Sequence, residues 1–432
     1  MPSPRPCVIV PTFWTRAKVR DPERAATVYD HPTPVDQDGT LPACLQSLSR
    51  LKGIDQVVVV VASTDPSIED QAEDRVHKII DETPELDAVV FGRAELGSLH
   101  RRLEQLGFED LIPGLSLDGY GAVRNIGLIW SQVLGHDWTV FVDDDQIVLD
   151  EDFLECANEG LGATLADGSK LLAKTGYYVD RGGKYQVRDE AHWADTFWRR
   201  ADAFNKALSI VDAPPRMRIA TMAFGGCLAL HRELTEKVAF DPWVFRGEDL
   251  DYVINARLHG QPVYLDGQWR IHHNPPERSS EALKFRQTGF SFIYGHRKLE
   301  FARSQVDLHR VTANSLMPYP GEFLKGSITW RAFVTAFLRG VAGRGGERSQ
   351  YFKTARELLM KANSYARANC DNYFAFQRRW PELMEKVLED VALKSLYTGE
   401  RSMDRSAITG RFPVLRPGGA VGTMGPSGDS GD

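Results

Sequence analysis

Apolar positions along this chain follow two different periods. CVIVPTF at 7–13 and DQVVVVVAS at 55–63 are apolar at nearly every residue and rich in β-branched side chains. Such runs predict strands buried on both faces, as in a parallel sheet. Between them LPACLQSLSRL, 41–51, has helical spacing, so a strand–helix–strand unit opens the protein. The pattern continues with a helix near 67–81, a strand DAVVFG at 87–92 and a helix around 121–134. DWTVFVDDD at 137–145 and KLLAKTGYYV at 170–179 predict two more strands. HWADTFWRRADAFNKAL, 192–208, predicts a helix, and IATMAFGGCLALHREL, 219–234, a strand, a glycine pair and a helix start. In RGEDLDYVINARLHG, 246–260, Leu250, Val253, Ile254 and Leu258 form one apolar face of a helix. A last strand, PVYLDGQWRI at 262–271, is followed by His272 and His273.

Alternating strands and helices imply an α/β fold with a mostly parallel sheet. From about 300 to 400 the strand signals vanish. SQYFKTARELLMKANSYARA and PELMEKVLEDVALKSLY read as helices there, which predicts a helical C-terminal domain. The expected division is therefore 1–300, 301–402 and a disordered, apolar-poor tail at 403–432. The link from Trp14 to Thr40 is long and charged, as functional or mobile loops are.

Charge and cysteine content narrow the function classes. The net charge of −7 argues against nucleic acid as a partner, because phosphate binding needs a basic surface. Five scattered cysteines without metal spacing suggest reduced thiols, and hence a cytoplasmic protein. No secretory leader is visible, and the longest apolar run is too short to cross a bilayer. ITWRAFVTAFLRGVAGR, 328–344, mixes basic and apolar residues around Trp330. It reads either as a helix packed on its own domain or as an interfacial helix, so any membrane association is at most peripheral.

Three features carry chemistry. Asp143, Asp144 and Asp145 end a strand, at the sheet edge where α/β proteins bind ligands. Side-chain alternation sends Asp143 and Asp145 one way and Asp144 the other. A hard cation, Mn²⁺ or Mg²⁺, would join such carboxylates and leave positions for phosphate oxygens, whereas a solvated acidic turn is the plain alternative. His272 and His273 could add a nitrogen ligand or be structural. GAVRNIGL, 121–128, places Arg124 and Asn125 at a helix start that can face an anion or simply pack.

Taken in order, the opening strand–helix–strand, GAVRNIGL, VFVDDD, FGGCLALHRE, FRGEDLDY and HHNPP resemble the nucleotide-sugar glycosyltransferases of the GT-A fold, especially family 2. The glycine pair, GED triplet and histidine are also similar to those of β-1,4-galactosyltransferases. The resemblance spans roughly residues 5–280. It implies a Rossmann-like sheet and a metal-dependent transferase moving a hexose from a nucleotide sugar, UDP-linked, to a hydroxyl acceptor. It further implies that Asp143 and Asp145 form the DxD motif and meet the metal, Asp145 holding it, with Asp143 and Asp144 also near the nucleotide. Pro11, Thr12, Arg124 and Asn125 would line the nucleotide-sugar pocket, and His272, or else His273, would meet the metal. Glu248 and Asp249 match the acidic pair beside the acceptor, with Asp249 as general base in an inverting displacement.

The second strand ends in VASTDPS rather than the family's Asp-Asp-Gly-Ser turn, which leaves Asp65 as the residue to meet the base. The competing readings are a retaining transferase on the same fold, a non-catalytic carbohydrate- or nucleotide-binding protein, and a nucleotidyltransferase.

Overall fold

The computed structural model describes residues 5–17, 29, 31–188, 192–275 and 280–399. The chain through Asp390 forms one compact unit, and a second unit begins at Val391, of which the helix Val391–Gly399 is described. The tail expected at 403–432 lies outside the described residues, as do 18–28 and 30 of the long link.

Among the described residues ten strands build one sheet: β1 Pro6–Thr15, β2 Thr33–Pro34, β3 Gln56–Ser63, β4 Ala88–Phe91, β5 Trp138–Phe141, β6 Gln146–Ile147, β7 Ala173–Val179, β8 Met217–Ile219, β9 Leu228–His231 and β10 Tyr264–His273. Their main order is β4-β3-β1-β5-β9-β7-β10-β6, with β2 beside β1 and β8 beside β10. β4, β3, β1, β5, β7 and β10 run the same way, and β9 runs against both its neighbours. The α/β expectation and the mostly parallel sheet are therefore observed, and the carboxyl ends of β1, β5, β7 and β10 share one edge. Because β9 is inverted, the glycine pair just before it reaches that edge too.

Pro11 explains where the sheet opens. A proline in a central strand normally costs a ladder bond. Here the β1–β5 pairing stops at Ile9 opposite Phe141, so by Pro11 there is no partner on that side to lose. β1 continues beside β3 as far as Trp14, where the short β2 pairs with it as well.

The helix Tyr120–Val133 is buried at every residue from Gly121 on. It lies against β1 so closely that a side chain on Gly127 would overlap Ile9, and its other flank packs on the helix Ala362–Glu389. Helices Glu281–Ala302, Ile328–Ala342, Gly345–Met360 and Ala362–Glu389 make the C-terminal helical region. The first of them runs through residue 300 without a break.

Several elements differ from the sequence reading. The 192–208 stretch is a 3₁₀ turn, Trp193–Asp195, and a separate helix, Arg200–Leu208. Trp198 turns inward between them to pack on Phe285 and Phe323, which breaks the helical run. In 219–234 the main strand follows the glycines rather than preceding them. Pro381, taken as a helix start, sits inside Ala362–Glu389, where burial of Phe374, Gln377, Trp380, Met384 and Val387 carries one face straight through it. Arg93–Leu106, Phe153–Asn158 and Glu281–Ala302 are helices that the sequence reading does not contain.

Candidate functional site at the carboxyl edge of the sheet

β5 ends at Phe141, so Asp143, Asp144 and Asp145 lie in a turn and not in extended chain, closed by Gln146 N–H donating to Asp143 O. The carboxylates nonetheless divide by partner as alternation expects, with Asp143 and Asp145 on the adjoining side chains of Tyr178 and His273 and Asp144 on Thr12 of β1. Asp143 meets Arg124 Nη2 at 3.0 Å and the Tyr178 hydroxyl at 3.0 Å. Asp144 accepts from Thr12 Oγ1 at 2.6 Å. Asp145 stands 3.1 Å from His273 Nε2.

Register explains which histidine stands beside Asp145. β6 returns antiparallel to β10, placing Gln146 opposite His273 and Ile147 opposite His272. His273 thereby faces Asp145 and stacks on Tyr178, with ring centroids 5.0 Å apart. His272, the first choice from sequence, pairs instead with Ile147 and Val179 along the strands.

Arg124 is the hub of the site. Its side chain is 5% exposed, and it donates to Glu248 Oε1 at 2.7 Å, Gly225 O at 2.9 Å and Asp143. Its guanidinium also lies over the Phe141 ring. Burial works against its charge, but the Asp143 and Glu248 carboxylates outweigh burial and raise its pKa above the usual value. The glycine pair is required by close packing: a methyl on Gly225 would overlap the Arg124 guanidinium, and one on Gly226 the Gln146 amide.

At the start of the helix Glu248–Leu258, Gly247 adopts φ 74°, which favours glycine. That bend turns Glu248 inward to Arg124 and leaves Asp249 half-buried, accepting from Gly225 N–H at 3.0 Å and Leu250 N–H at 2.7 Å. Burial and the neighbouring Glu248 charge raise the Asp249 carboxyl to about 7. Burial, with Asp145 beside it, raises Asp144 to about 8. For His273 burial lowers the pKa, but the Asp145 hydrogen bond outweighs it and the net shift is upward.

The remaining expected residues fall outside this cluster. Asn125 is fully buried and exchanges both amide hydrogen bonds with the Phe240 backbone, at 2.9 Å each, which stitches its helix to the 239–241 segment. Pro11 is buried in β1. Asp65 caps the 3₁₀ turn Pro66–Ile68, where Ser67 and then Arg16 hold its carboxyl down to about 2. It lies at the same edge, two residues beyond the end of β3. Tyr29, from the long link, packs on Phe13, donates to Leu117 O and accepts from Gly119 N–H, tying the link to the segment before the helix Tyr120–Val133.

Tyr178 and Gln146 are site residues that the sequence reading missed. Tyr178 accepts from Gly226 N–H at 2.7 Å while donating to Asp143, and Gln146 Oε1 accepts from Asp143 N–H at 3.1 Å. The available signal was position: Tyr178 lies near the end of a strand, and Gln146 directly follows the aspartates.

Among the described residues, no three His, Cys, Asp or Glu side chains are grouped so as to hold a metal by themselves. Asp145 and His273 offer two donors. A hard cation is commonly held by one or two protein groups with phosphate oxygens and water completing its shell, so this pair fits such an ion beside a bound diphosphate.

No family model and no curated protein matches the chain. Among solved structures, it is similar to a mannosyltransferase, PcManGT from Pyrobaculum calidifontis, in complex with GDP-Man and Mn²⁺. The two are 14% identical, with 93% of this chain and 88% of that one covered and a TM-score of 0.44. A mycobacterial protein is 15% identical, with 67% and 73% covered and a TM-score of 0.36. GalNAc-T7 with UDP, GalNAc and Mn²⁺ is 13% identical, with 67% of this chain and 50% of that one covered and a TM-score of 0.35. Function is therefore read from the site's own residues.

Proposed function

We propose that this protein is a metal-dependent glycosyltransferase of the GT-A type, moving a hexose from a nucleotide diphosphate sugar, UDP-linked, to a hydroxyl acceptor with inversion. One observation carries the reading: four separate chain segments bring Asp145 with His273, and Arg124 with Glu248 and Asp249, to one sheet edge.

In this reading Asp145 and His273 hold Mn²⁺ or Mg²⁺. Held there, such an ion would supply positive charge for the departing nucleoside diphosphate. Asp143, fixed by Arg124 and Tyr178, and Asp144, fixed by Thr12, shape the nucleotide side of the cleft. Asp65, two residues beyond β3 at the same edge, would meet the base. Asp249 takes the acceptor proton: a carboxyl near 7 is basic enough to accept it and still about half ionised at neutral pH. Glu248 is engaged by Arg124, so its proposed part is to position Arg124 and, through Gly225, Asp249.

The test is calorimetry of UDP binding with and without Mn²⁺. Asp145→Ala and His273→Ala should each weaken metal-dependent binding by about 10-fold or more, while His272→Ala leaves it nearly unchanged. Unaltered Mn²⁺-dependent affinity in both of the first two variants would rule out this metal assignment. Metal binding should also strengthen from pH 6 to pH 8, since the raised proton affinity of His273 competes with the ion.

A further inference from the structure

We infer that the face formed by the helix Ile328–Ala342 and the 193–197 turn docks on an anionic lipid surface. Trp330, Phe337 and Val341, spaced seven and four residues apart, stand 56%, 46% and 49% exposed, while Ala332, Thr335, Ala336 and Gly340 are buried on the opposite side. Phe197, 41% exposed, extends the same face, and Trp193 of the same turn is 57% exposed. Phe197 meets Trp330 edge-on at 5.5 Å, and Arg331 donates to Phe197 O at 3.0 Å. Asp195 of the turn pairs with Arg339 at 2.6 Å. Large aromatic side chains gathered in one exposed patch are uncommon on a monomer and mark a contact surface.

Charge selects the occupant. From 323 to 346 the chain has no acidic residue and four basic ones, Lys325, Arg331, Arg339 and Arg344. Glu322 and Asp195 neutralise Arg331 and Arg339. Exposed Lys325, Arg344 and Arg348, against Glu347, leave the rim positive in a protein whose net charge is −7. A second copy of this chain docked face to face would bring the same cations together. Anionic headgroups complement them instead, and tryptophan suits the headgroup depth of a bilayer. No described helix is long and apolar enough to cross a membrane, so the contact is a surface one.

Flotation of the full chain with vesicles of equal parts phosphatidylcholine and phosphatidylglycerol tests this without donor or acceptor, and so independently of the proposed transfer reaction. The protein should float with these vesicles, less with phosphatidylcholine alone, and less at high salt. A Trp330→Ser, Phe337→Ser double variant should partition at least about tenfold more weakly with an unchanged melting midpoint, because both side chains are exposed. Three results would each overturn the inference. One is no flotation with the anionic vesicles, and another is flotation unaffected by the double variant. The third is a wild-type dimer that the variant converts to monomer, which would give the face to a second copy.

Discussion

Glu248 and Asp249 are sequence neighbours with different surroundings. Glu248 is buried against a guanidinium, while Asp249 accepts two backbone N–H bonds and keeps a partly open side. If Asp249 is the base, Asp249→Asn should keep donor affinity and lose roughly 10²–10⁴ in kcat. Single-turnover kinetics with saturating donor would measure it, and near-normal turnover would favour a retaining or non-catalytic site. The acid limb of kcat/KM should fall with an apparent pKa near 7 and vanish in that variant. Stability follows the same groups. Asp249 at about 7 and Asp144 at about 8 hold protons that the unfolded chain has already lost, so they destabilise the metal-free fold as pH rises through 7 to 8. His273, also raised, adds the same sign. His136, buried and lowered to about 4, acts oppositely, but only below about 6.5. Between pH 6.5 and 8 the melting temperature should therefore drop, and in an Asp144→Asn, Asp249→Asn variant the slope should flatten. Removing Arg124 is costlier, because Glu248 would stay buried without its cation. Arg124→Met should cost about 3–5 kcal/mol, with much of it recovered by adding Glu248→Gln; urea unfolding would resolve both.

At the scale of elements, the strands were legible because β1 and β3 are buried on both faces, so VIV and VVVVV repeats leave no other reading. The aspartates, the glycine pair and the GED helix were legible as motifs, since each needs a particular residue type. What the sequence hid was direction. Nothing in VFVDDD says that the strand stops at Phe141 and that the aspartates sit in a turn closed onto Gln146. The choice between His272 and His273 turned on the two-residue strand β6, too short to leave a pattern. Tyr178 looked like any strand aromatic until inverted β9 brought Gly226 to it. That inversion makes the glycine pair a spacing device between Arg124 and Gln146. Gly226→Ala should push against the Gln146 amide and cost about 1–3 kcal/mol, lowering turnover more than an alanine at exposed Gly346, where nothing lies within reach.

For the whole molecule, the question is whether the C-terminal helices are an attachment or part of the site's support. Lys298, on the helix Glu281–Ala302, is fully buried and bonded to Asp241 at 2.7 Å and Asp251 at 2.6 Å, beneath the Tyr373 ring. Gln377 and Trp380, on Ala362–Glu389, hydrogen-bond the backbone at Lys237, Ala239 and Thr235. Those contacts grip the 235–241 segment that leads into Gly247 and the acid pair, and Asn125 holds it from the other side. A chain ending at residue 300 would keep Lys298 but lose Tyr373, Gln377 and Trp380, exposing the buried flank of Tyr120–Val133 as well. It should show no cooperative thermal transition by circular dichroism, whereas an independently folding sheet domain would melt sharply and still bind nucleotide. Within the full chain, Lys298→Met should cost about 3–5 kcal/mol by stranding two buried carboxylates. Adding Asp241→Asn and Asp251→Asn should restore much of that, and the restored variant should recover turnover if the cluster acts only by holding the acid pair in place.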